Sequence, residues 1–392
     1  MKSVTYMIDK TNKSIGLYIH IPFCNSKCSY CDFNSYAGKL QWQDRYFKAL
    51  EKELSLYAEK LNAIYGHSTV ETVFVGGGTP SAVDAEHIYN ILNHCRRQFN
   101  IGAAAELSME SNPGTMTAEK LHTYKEAGIT RISMGLQAAQ PHLLKFLGRR
   151  HTAEQFIESI QLAKQAGFTN LNGDVIFGIP GQTMLDWKKT LELLVSLEIP
   201  HVSAYSLKIE EGTLFGDMYE SGTLKPVEDE LDREMYHYAI KYLKEQGLNH
   251  YELSNFSAPG YECKHNLIYW QEREYIGLGA GAHSFLNNKR FSNEPKLEAY
   301  IELVENGQNP VIEDIEVTRE DEMAEYMFLG LRLMKGVSEK EFVNRFGVSM
   351  LKSYNAQIDK LNKAGLVRLD GETVKLTSKG LDLANIVFME FV

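Results

Sequence analysis

The sequence predicts an α/β fold: an incomplete (β/α)6 barrel of the TIM type, followed by a small winged-helix-like domain. Between residues 15 and 250, six short β-branched runs alternate with six longer amphipathic stretches. This alternation is typical of parallel strands connected by helices. Six units fall short of the eight that close a full barrel. Beyond residue 317 the pattern changes to consecutive helices and a hairpin, which indicates a separate small domain.

The six strand-and-helix units can be located from their periodicity. The predicted strands are 16–21, 72–75, 106–110, 131–134, 171–177 and 201–207. The predicted helices are 42–65, 84–99, 118–127, 153–166, 184–197 and 229–246. A doubly wound sheet is the competing arrangement, because hydrophobic periodicity alone does not distinguish an open parallel sheet from a curved one.

Four segments make up the predicted domain organisation. They are an N-terminal extension (1–14), the partial barrel (15–250), a connecting region rich in glycine and aromatic residues (251–316) and the winged-helix-like domain (317–392). In the last segment we predict helices over 321–333, 339–346 and 350–364, then strands over 366–369 and 373–376. Asp370-Gly371 between two alternating runs is a strong hairpin signal. Shielding a pocket, recognising partners or stabilising the barrel are the roles expected of this domain.

Composition and charge exclude several classes of protein. The 392 residues include 41 Lys and Arg against 51 Asp and Glu, a net charge of −10. Nucleic-acid binding needs clustered positive charge, so no nucleic-acid partner is expected. No apolar run approaches the roughly 18 residues of a membrane span, and the N-terminus lacks the apolar core of a secretory signal. We therefore expect a cytoplasmic protein, with peripheral membrane contact left open and no indication of oligomeric state.

Three of the five cysteines lie within eight residues and follow the first predicted strand. Cys24, Cys28 and Cys31 form a C-x3-C-x2-C loop. Thiolates are the usual ligands of iron–sulfur clusters, and a complete set takes four. Three ligands leave one iron of a [4Fe-4S] cluster open to a chelator such as S-adenosylmethionine (SAM). The alternatives are a zinc site completed by His20 or Asp32, or three unrelated thiols; zinc sites favour paired C-x2-C knuckles, and the sequence has no second pair.

The residues around this loop resemble a known superfamily. The string Y-x-H-x-P-F-C-x3-C-x-Y-C runs from Tyr18 to Cys31 and is similar to the opening motif of the HemN/HemW group of radical SAM proteins. The resemblance extends over nearly the whole chain. It implies that Cys24, Cys28 and Cys31 ligate a [4Fe-4S] cluster, and that Tyr18 and the backbone at Tyr30 contact SAM.

Further motifs of the group follow successive predicted strands. A V-G-G-G-T-P segment spans residues 75–80, and glycines allow a backbone to approach a ligand closely. The resemblance assigns the GGGTP segment to the methionyl amino group of SAM. It assigns Glu110, Gln137, Arg149 and Asp174 to the ribose and the carboxylate of SAM. Arg149 is placed at the carboxylate because a guanidinium pairs well with that negative group. The implied SAM residues of these motifs are Gly77, Gly78, Thr79, Glu110, Gln137, Arg149 and Asp174.

Two features of the sequence indicate which branch of the HemN/HemW group the chain resembles. Oxygen-independent coproporphyrinogen III oxidases carry a further cysteine two residues after the third, and Phe33 stands at that place here. Residues 265–270 read H-N-L-I-Y-W, which is similar to the signature of HemW-type heme chaperones. By this resemblance His265 is the candidate heme ligand, because imidazole is a common axial ligand of heme iron.

The heme assignment leaves alternatives open. Cys263 is a candidate second ligand or attachment point, and His283 is an alternative ligand within a glycine-rich run (277–284) expected to close the pocket. A histidine before an aromatic pair is, without the resemblance, more often a packed and hydrogen-bonded core residue. Cys95, on a predicted helix, is expected to be a buried apolar thiol.

Two hypotheses of different class result. The first is a heme chaperone of the HemW type, containing a [4Fe-4S] cluster and SAM, which binds heme and delivers it to apo-hemoproteins such as respiratory enzymes. The second is a radical SAM enzyme acting on a tetrapyrrole, either a coproporphyrinogen III oxidase or an enzyme that degrades or methylates heme. Phe33 and residues 265–270 favour the carrier over the catalyst.

Overall fold

A computed structural model describes residues 13–392 of the chain. It divides into two compact units. Unit 1 contains residues 13–135, 154–169 and 274–315, and unit 2 contains residues 136–153, 170–273 and 316–392. Apart from its last two residues, the N-terminal extension predicted over residues 1–14 lies outside the described part.

Strands and helices alternate through most of the chain. The strands are β1 (Lys13–Ile21), β2 (Phe23–Cys24), β3 (Tyr36–Ala37), β4 (Ser68–Gly77), β5 (Asn100–Ser111), β6 (Arg131–Gln137), β7 (Asn170–Phe177), β8 (His201–Ser206), β9 (Asn249–Glu252), β10 (Asn255–Ser257), β11 (Tyr275–Leu278), β12 (His283–Leu286), β13 (Lys289–Asn293), β14 (Val311–Glu316), β15 (Val337–Ser338), β16 (Val367–Asp370) and β17 (Thr373–Leu376). The α-helices are α1 (Gln43–Tyr65), α2 (Ala85–Gln98), α3 (Ala118–Glu126), α4 (Pro141–Phe146), α5 (Ala153–Gln165), α6 (Met184–Ser196), α7 (Leu214–Glu220), α8 (Asp229–Glu245), α9 (Lys264–Trp270), α10 (Leu297–Glu305), α11 (Arg319–Gly330), α12 (Glu339–Phe346), α13 (Met350–Ser353), α14 (Asn355–Lys363), α15 (Ser378–Asp382) and α16 (Ala384–Met389).

Unit 1 is organised around a mixed sheet in the order β14-β13-β12-β11-β1-β4-β5-β6. The strands from β11 to β6 pair in parallel, whereas β11, β12 and β13 pair antiparallel. The middle strands are largely buried; in β1, Tyr18 is a half-buried position between fully buried neighbours. Because parallel strands end at the same edge of a sheet, the loops that follow β1, β4 and β5 meet at one edge of this unit.

The longest helix, α1, covers unit 1 with one apolar face. Its buried residues recur at helical spacing and include one acidic side chain, Glu53, among Tyr46, Leu50, Leu54 and Tyr57. Such a stripe is the expected core face of an amphipathic helix, and a buried carboxylate within it needs hydrogen-bond donors. Among residues 13–392, no helix is both long and apolar enough to cross a membrane.

Unit 2 contains a second group of strands and the C-terminal helices. Strands β7 and β8 pair in parallel, and β8, β10 and β9 pair antiparallel. The C-terminal part adds a small sheet in the order β15-β17-β16, whose last two strands form the predicted hairpin. Its core is apolar and consists of Met327, Leu331, Val337, Phe342, Phe346, Met350, Ile358, Leu361, Leu366, Val367, Val374, Val387 and Phe391.

All six predicted strands and helices of residues 15–250 are present, with ends that shift by up to six residues. The C-terminal helices and hairpin are present as well. The greatest difference falls in residues 251–316, where no regular element was predicted. This segment contains β9 to β14 with α9 and α10, and β11 extends the parallel sheet beside β1. The strands of this segment are three to six residues long and follow no regular alternation with helices, so their periodicity alone did not identify them.

Candidate functional site

The loop that carries the three neighbouring cysteines leaves the edge of the sheet directly after β1. Cys24 is buried, whereas Cys28 and Cys31 are half-buried, and all three are thiols. Burial raises the pKa of Cys31, a backbone hydrogen bond at Phe33 and the Lys27 charge oppose the rise, and Cys28 and Cys24 add to it. Cys28 and Cys24 are therefore close enough to Cys31 to influence its thiol.

Short-range bonds close this loop at its base. Strands β2 and β3 pair Phe23 with Tyr36, and the Tyr36 amide donates to the Pro22 carbonyl at 2.7 Å. The Lys27 ammonium donates to the Phe33 carbonyl at 2.7 Å and to the Ser35 hydroxyl at 3.1 Å. These contacts hold both ends of the loop together while leaving Phe33 with 61% of its surface exposed.

His20 lies beneath the loop with both ring nitrogens engaged. Burial lowers its pKa to about 4, so the imidazole is neutral at pH 7. Its Nε2–H donates to the Asn34 carbonyl at 2.8 Å, and its Nδ1 therefore accepts from the Tyr18 hydroxyl at 2.9 Å. Since neither nitrogen is turned to the thiols in this arrangement, the geometry disfavours the zinc alternative that used His20. Among residues 13–392, no three His, Cys, Asp or Glu side chains are grouped as ligands of a single metal ion.

The glycine run after β4 passes against the cysteine loop. The Gly78 amide donates to the Ile21 carbonyl at 2.9 Å, and the Thr79 amide donates to the Phe23 carbonyl at 2.7 Å. A Cβ atom at Gly78 would lie 2.7 Å from the Phe23 carbonyl oxygen and 3.0 Å from Cys24 Sγ. Gly77 has a φ of +115°, and a Cβ there would lie 2.5 Å from the His20 ring. Only glycine fits at these two positions.

Polar side chains at the end of β5 complete the site in unit 1. One carboxylate oxygen of Glu110 accepts from the Gly77 amide at 2.9 Å. The pKa of Tyr18 is raised well above its usual range by burial and then by the charge of Glu110, so these two groups are neighbours. The Thr79 hydroxyl lies 3.5 Å from Cys24 Sγ and accepts from Asn112 Nδ2 at 3.0 Å. Unit 1 thus brings together Tyr18, Gly77, Thr79, Glu110 and Cys24.

Of the remaining predicted SAM residues, Tyr30 lies half-buried in the cysteine loop of unit 1, and the three that belong to unit 2 are each half-buried as well. Gln137 ends β6 with a φ of +65°, a left-handed conformation that is uncommon for residues other than glycine. Arg149 follows α4 and lies near His151, whose pKa is lowered to about 4, first by burial and then by the Arg149 charge. One carboxylate oxygen of Asp174, on β7, accepts from Asn172 Nδ2 at 2.8 Å.

Residues 265–270 make up all but the first residue of the short helix α9 in unit 2. His265 has 1% of its surface exposed, and burial lowers its pKa to about 3. Its Nε2 lies 2.7 Å from the Tyr269 hydroxyl, and the two rings meet edge to face. The Arg332 guanidinium lies 4.1 Å from the centre of the Trp270 ring. In this conformation His265 is packed and hydrogen-bonded, which is the alternative that the sequence left open.

Both ends of α9 are held by side chains of unit 2. At the start, the Cys263 amide donates to the Tyr251 hydroxyl oxygen at 3.2 Å. At the end, the Arg345 guanidinium donates to the Gln271 and Glu272 carbonyls at 3.1 and 2.9 Å and pairs with the Glu272 carboxylate at 3.2 Å. A cation at the C-terminal end of a helix also interacts favourably with its dipole.

The glycine-rich run 277–284 packs against the cysteine loop through a residue that the sequence did not single out. Asn34 Nδ2 donates to the Ala280 carbonyl at 2.9 Å and to the Pro295 carbonyl at 3.0 Å. The Tyr46 hydroxyl donates to the His20 carbonyl at 2.7 Å and accepts from the Ala280 amide at 3.2 Å. His283 is exposed at the end of the run. In the sequence, the available signal for these buried hydrogen bonds was Glu53, the acidic residue among the apolar residues of α1.

Comparison with known proteins finds a family match for two regions of the chain. The model of the radical SAM superfamily matches residues 18–194, and that of the HemN C-terminal domain matches residues 317–383. The chain is 37% identical to the heme chaperone HemW of Bacillus subtilis (strain 168) over 376 residues, covering 96% of this chain and 98% of that protein. It is 36% identical to the heme chaperone HemW of Lactococcus lactis subsp. lactis (strain IL1403) over 387 residues, covering 98% of each. The chain belongs to the HemN/HemW group of the radical SAM superfamily.

A vertebrate protein and a solved structure extend the comparison. Radical S-adenosyl methionine domain-containing protein 1, mitochondrial, of Danio rerio is 30% identical over 383 residues, covering 95% of this chain and 85% of that protein. The structure of coproporphyrinogen III oxidase (HemN) from Escherichia coli, a radical SAM enzyme, matches with a TM-score of 0.84 at 23% identity, covering 97% of this chain and 90% of that one. At this identity the likeness establishes the fold, and the predicted α/β fold of the radical SAM kind with its C-terminal domain is confirmed.

Membership of the radical SAM superfamily implies a [4Fe-4S] cluster and SAM. The matched region, residues 18–194, contains the cysteine loop, the glycine run and every proposed SAM residue. Helix α9 lies outside both matched regions, between the radical SAM part and the HemN C-terminal part.

Proposed function

We propose that this radical SAM protein is a heme chaperone of the HemW type, which binds heme and delivers it to apo-hemoproteins. The observation that carries the proposal is the H-N-L-I-Y-W helix α9, in a chain similar over almost its whole length to relatives named heme chaperone HemW. Phe33, exposed at the place of the further cysteine of the oxidases, supports a carrier over a coproporphyrinogen oxidase.

The cluster is assigned to Cys24, Cys28 and Cys31. Their thiols lie on one closed loop, and the glycines at 77 and 78 allow the neighbouring backbone to approach it closely. Thiolate is the ligand that iron–sulfur clusters require. When bound, the cluster supplies one iron with an open coordination position for SAM, and the backbone at Tyr30 contacts SAM beside it.

The SAM residues are assigned by the chemistry that each can offer. Gly77, Gly78 and Thr79 present backbone groups beside the cysteine loop, and Glu110 orients the Gly77 amide through its hydrogen bond. Glu110, Gln137 and Asp174 provide polar partners for the ribose hydroxyls, and Arg149 provides the positive charge for the SAM carboxylate. Tyr18, fixed by its hydrogen bond to His20, provides an aromatic face near the cluster loop.

Heme is cargo in this proposal, with His265 as its ligand. The imidazole is neutral at pH 7, which is the form that binds iron. Its burial and its contact with the Tyr269 hydroxyl mean that α9 must open and that this hydrogen bond must be exchanged for a bond to iron. The closed helix is thus a state that protects the ligand before heme arrives.

Apo-hemoproteins such as respiratory enzymes are the proposed recipients. In this proposal the protein acts from the cytoplasm, and peripheral contact with the membrane that holds such enzymes is left open. The net charge of −10 argues against a nucleic-acid partner.

A hemin titration tests the proposal. The cluster is reconstituted anaerobically, hemin is added, and the Soret band is followed in the wild type, in His265→Ala and in His283→Ala. We expect saturable binding that His265→Ala weakens at least tenfold and that His283→Ala leaves unchanged. Weakening by His283→Ala alone would move the ligand to the alternative histidine. Coproporphyrinogen III is assayed with SAM on the same preparations, and its decarboxylation would overturn the chaperone proposal in favour of the enzyme.

A further inference from the structure

A series of hydrogen bonds within unit 2, buried in its middle and half-buried at Asp174 and Tyr251, connects β7 with the start of α9. Asn172 Nδ2 donates to a carboxylate oxygen of Asp174 at 2.8 Å, and Asn172 Oδ1 lies 2.6 Å from His201 Nδ1. His201 Nε2 lies 2.9 Å from the Tyr251 hydroxyl, and that oxygen accepts from the Cys263 amide at 3.2 Å. Five residues from four separate stretches of sequence thereby form one continuous series.

The strand register explains why these side chains meet. Strands β7 and β8 pair in parallel, with Asn172 opposite His201 and Asp174 opposite Ser203. Alternate residues of a strand share a face of the sheet, so Asn172, Asp174, His201 and Ser203 lie on one face. Ser203 Oγ lies 3.0 Å from Asn172 Nδ2 and holds the amide from the side. The Tyr251 ring then meets the His201 ring edge to face, with centres 5.7 Å apart.

Hydrogen-bond chemistry gives one consistent set of directions for these bonds when the His201 imidazole is neutral. The Asn172 amide must turn its nitrogen to the Asp174 carboxylate, because two oxygens facing each other would repel. Its oxygen therefore accepts from His201 Nδ1–H. In the neutral imidazole, Nε2 then accepts from the Tyr251 hydroxyl, whose oxygen remains available to the Cys263 amide. The Cys263 amide can only donate and the Asp174 carboxylate can only accept, so the two ends of the series are fixed in direction.

The middle of this series lies in the protein interior, where hydrogen bonds are stronger than in water. Asn172 and His201 are fully buried, and Ser203 is nearly so. In a low-dielectric interior, consecutive hydrogen bonds polarise one another, and leaving one partner unsatisfied is costly. A displacement at either end is therefore resisted by the whole series rather than by a single bond.

We propose that His201 and Tyr251 are positioning residues that couple SAM binding at Asp174 to the order of the first turn of α9, which carries His265. This inference rests on the proposed function, because it takes Asp174 as a SAM contact and α9 as the heme-binding element. A ribose hydroxyl bound to Asp174 fixes the position of the Asp174 carboxylate. The Asn172 amide and the His201 imidazole then transmit this restraint to the Tyr251 hydroxyl. That hydroxyl oxygen is the atom to which the Cys263 amide donates. Coupling between two binding sites is reciprocal, so heme on α9 changes the affinity for SAM by the same factor.

Two measurements on the cluster-containing protein test the coupling. Amide hydrogen exchange across residues 263–270 is followed with and without SAM, a readout that requires no heme. Hemin affinity is then measured with and without SAM. In the wild type we expect SAM to slow exchange at the start of α9 and to change the hemin affinity by about fivefold, the lower range of measured coupling between sites.

The decisive variant is Tyr251→Phe, which keeps the ring and removes only the hydroxyl. Its ratio of hemin affinities with and without SAM should fall to about 1, and the SAM effect on exchange at α9 should disappear. The matched control is Tyr236→Phe, which removes another tyrosine hydroxyl of unit 2, one that donates to the Leu253 carbonyl at 2.8 Å outside the series. The control should keep the wild-type ratio. His201→Gln breaks the series at a different link and serves if Tyr251→Phe does not fold.

The outcomes separate the coupling from the proposed function. If wild-type protein binds SAM and hemin but neither exchange at α9 nor hemin affinity responds to SAM, the coupling is wrong and the chaperone proposal stands. A wild-type ratio retained by both Tyr251→Phe and His201→Gln would also overturn the coupling. If the wild type binds no hemin, the chaperone proposal fails, and the exchange measurement still decides whether SAM orders α9.

Discussion

The Tyr300 hydroxyl donates a hydrogen bond of 2.6 Å to the carboxylate of Glu53, and both side chains are buried in unit 1. The same carboxylate accepts from the Gly279 amide at 2.8 Å and from Asn293 Nδ2 at 2.6 Å. Burial raises the pKa of Glu53, and these donors oppose the rise by stabilising the charged form. Ala280 follows Gly279, and its carbonyl accepts from Asn34 in the cysteine loop. Glu53 therefore supports the cysteine loop through residues 279 and 280.

Glu53→Gln tests this support. The amide keeps the shape of the side chain but turns an NH2 group toward a donor, so we expect unfolding to require about 1–3 kcal/mol less free energy. We also expect the reconstituted variant to lose iron faster than the wild type. Urea unfolding and iron release to a chelator measure the two effects. Glu59→Gln, on the exposed face of the same helix, is the control and should change neither; an unchanged Glu53→Gln would contradict the account.

Removal of single thiols tests the cluster assignment. Cys28→Ala and Cys31→Ala should each reduce the iron and sulfide of reconstituted protein to near background, because the remaining thiolates cannot complete the set. Cys95→Ala is the matched control, since Cys95 is fully buried on α2 and burial raises the pKa of its thiol to about 12. Metal analysis and the visible charge-transfer absorbance give the readout. Loss of the cluster in the Cys95 variant alone would contradict the assignment.

The contact between Tyr269 and His265 predicts an increase in heme affinity on mutation. Tyr269→Phe removes the hydroxyl that lies 2.7 Å from His265 Nε2 and leaves the ring in place. A typical hydrogen bond contributes about 1 kcal/mol, which corresponds to roughly fivefold in affinity. We expect hemin to bind Tyr269→Phe about that much more tightly, with exposed Tyr219→Phe as the unchanged control. Weaker binding would mean that Tyr269 contacts heme directly instead of restraining His265.

A half-buried histidine of unit 2, His250, predicts how stability responds to acid. The pKa of His250 is lowered to about 4, mainly by burial and in smaller part by His237, against hydrogen bonds to the Leu253 and Glu252 backbone. In the unfolded chain the His250 imidazole takes up a proton below pH 6.5, whereas in the folded protein it does so only near pH 4. The contribution of His250 to stability is therefore complete above pH 6.5 and is lost as the pH falls from 6.5 toward 4.

His250→Gln should flatten this part of the profile. Free energies of unfolding are measured by urea titration at pH 7.5, 6.0 and 5.0 for the wild type, for His250→Gln and for His122→Gln. His122 is exposed on α3, so its variant should follow the wild-type slope. A slope that is identical in all three proteins would show that His250 titrates equally in the folded and unfolded chains.

Much of the fold could be predicted because its signals are local. The run of six strands and helices repeats over enough residues for its period to be read, and α1 was located to within one residue at its start. The cysteine loop and the glycine run could be found because each is a short contiguous string. Their meeting in unit 1 follows from parallel strands ending at one edge of a sheet.

The polar supports of the site could not be predicted because their partners are far apart in sequence. Asn34 bonds to Ala280, and Asn172 and His201 meet only through the register of β7 and β8. A single buried histidine or asparagine in a strand shows that a partner exists, because a buried polar group needs a hydrogen bond. It does not show which partner, and that information comes only from the folded structure.

Heme transfer from the loaded protein to an apo-hemoprotein measures the central claim most directly. Cluster-containing protein is loaded with hemin and mixed either with an apo-hemoprotein of a respiratory enzyme or with a passive heme scavenger, and the change in the Soret band is followed in each. The account predicts transfer to the apo-hemoprotein faster than release to the scavenger, with the difference lost in His265→Ala. Equal rates for both acceptors, or no retention of hemin by the wild type, would contradict it.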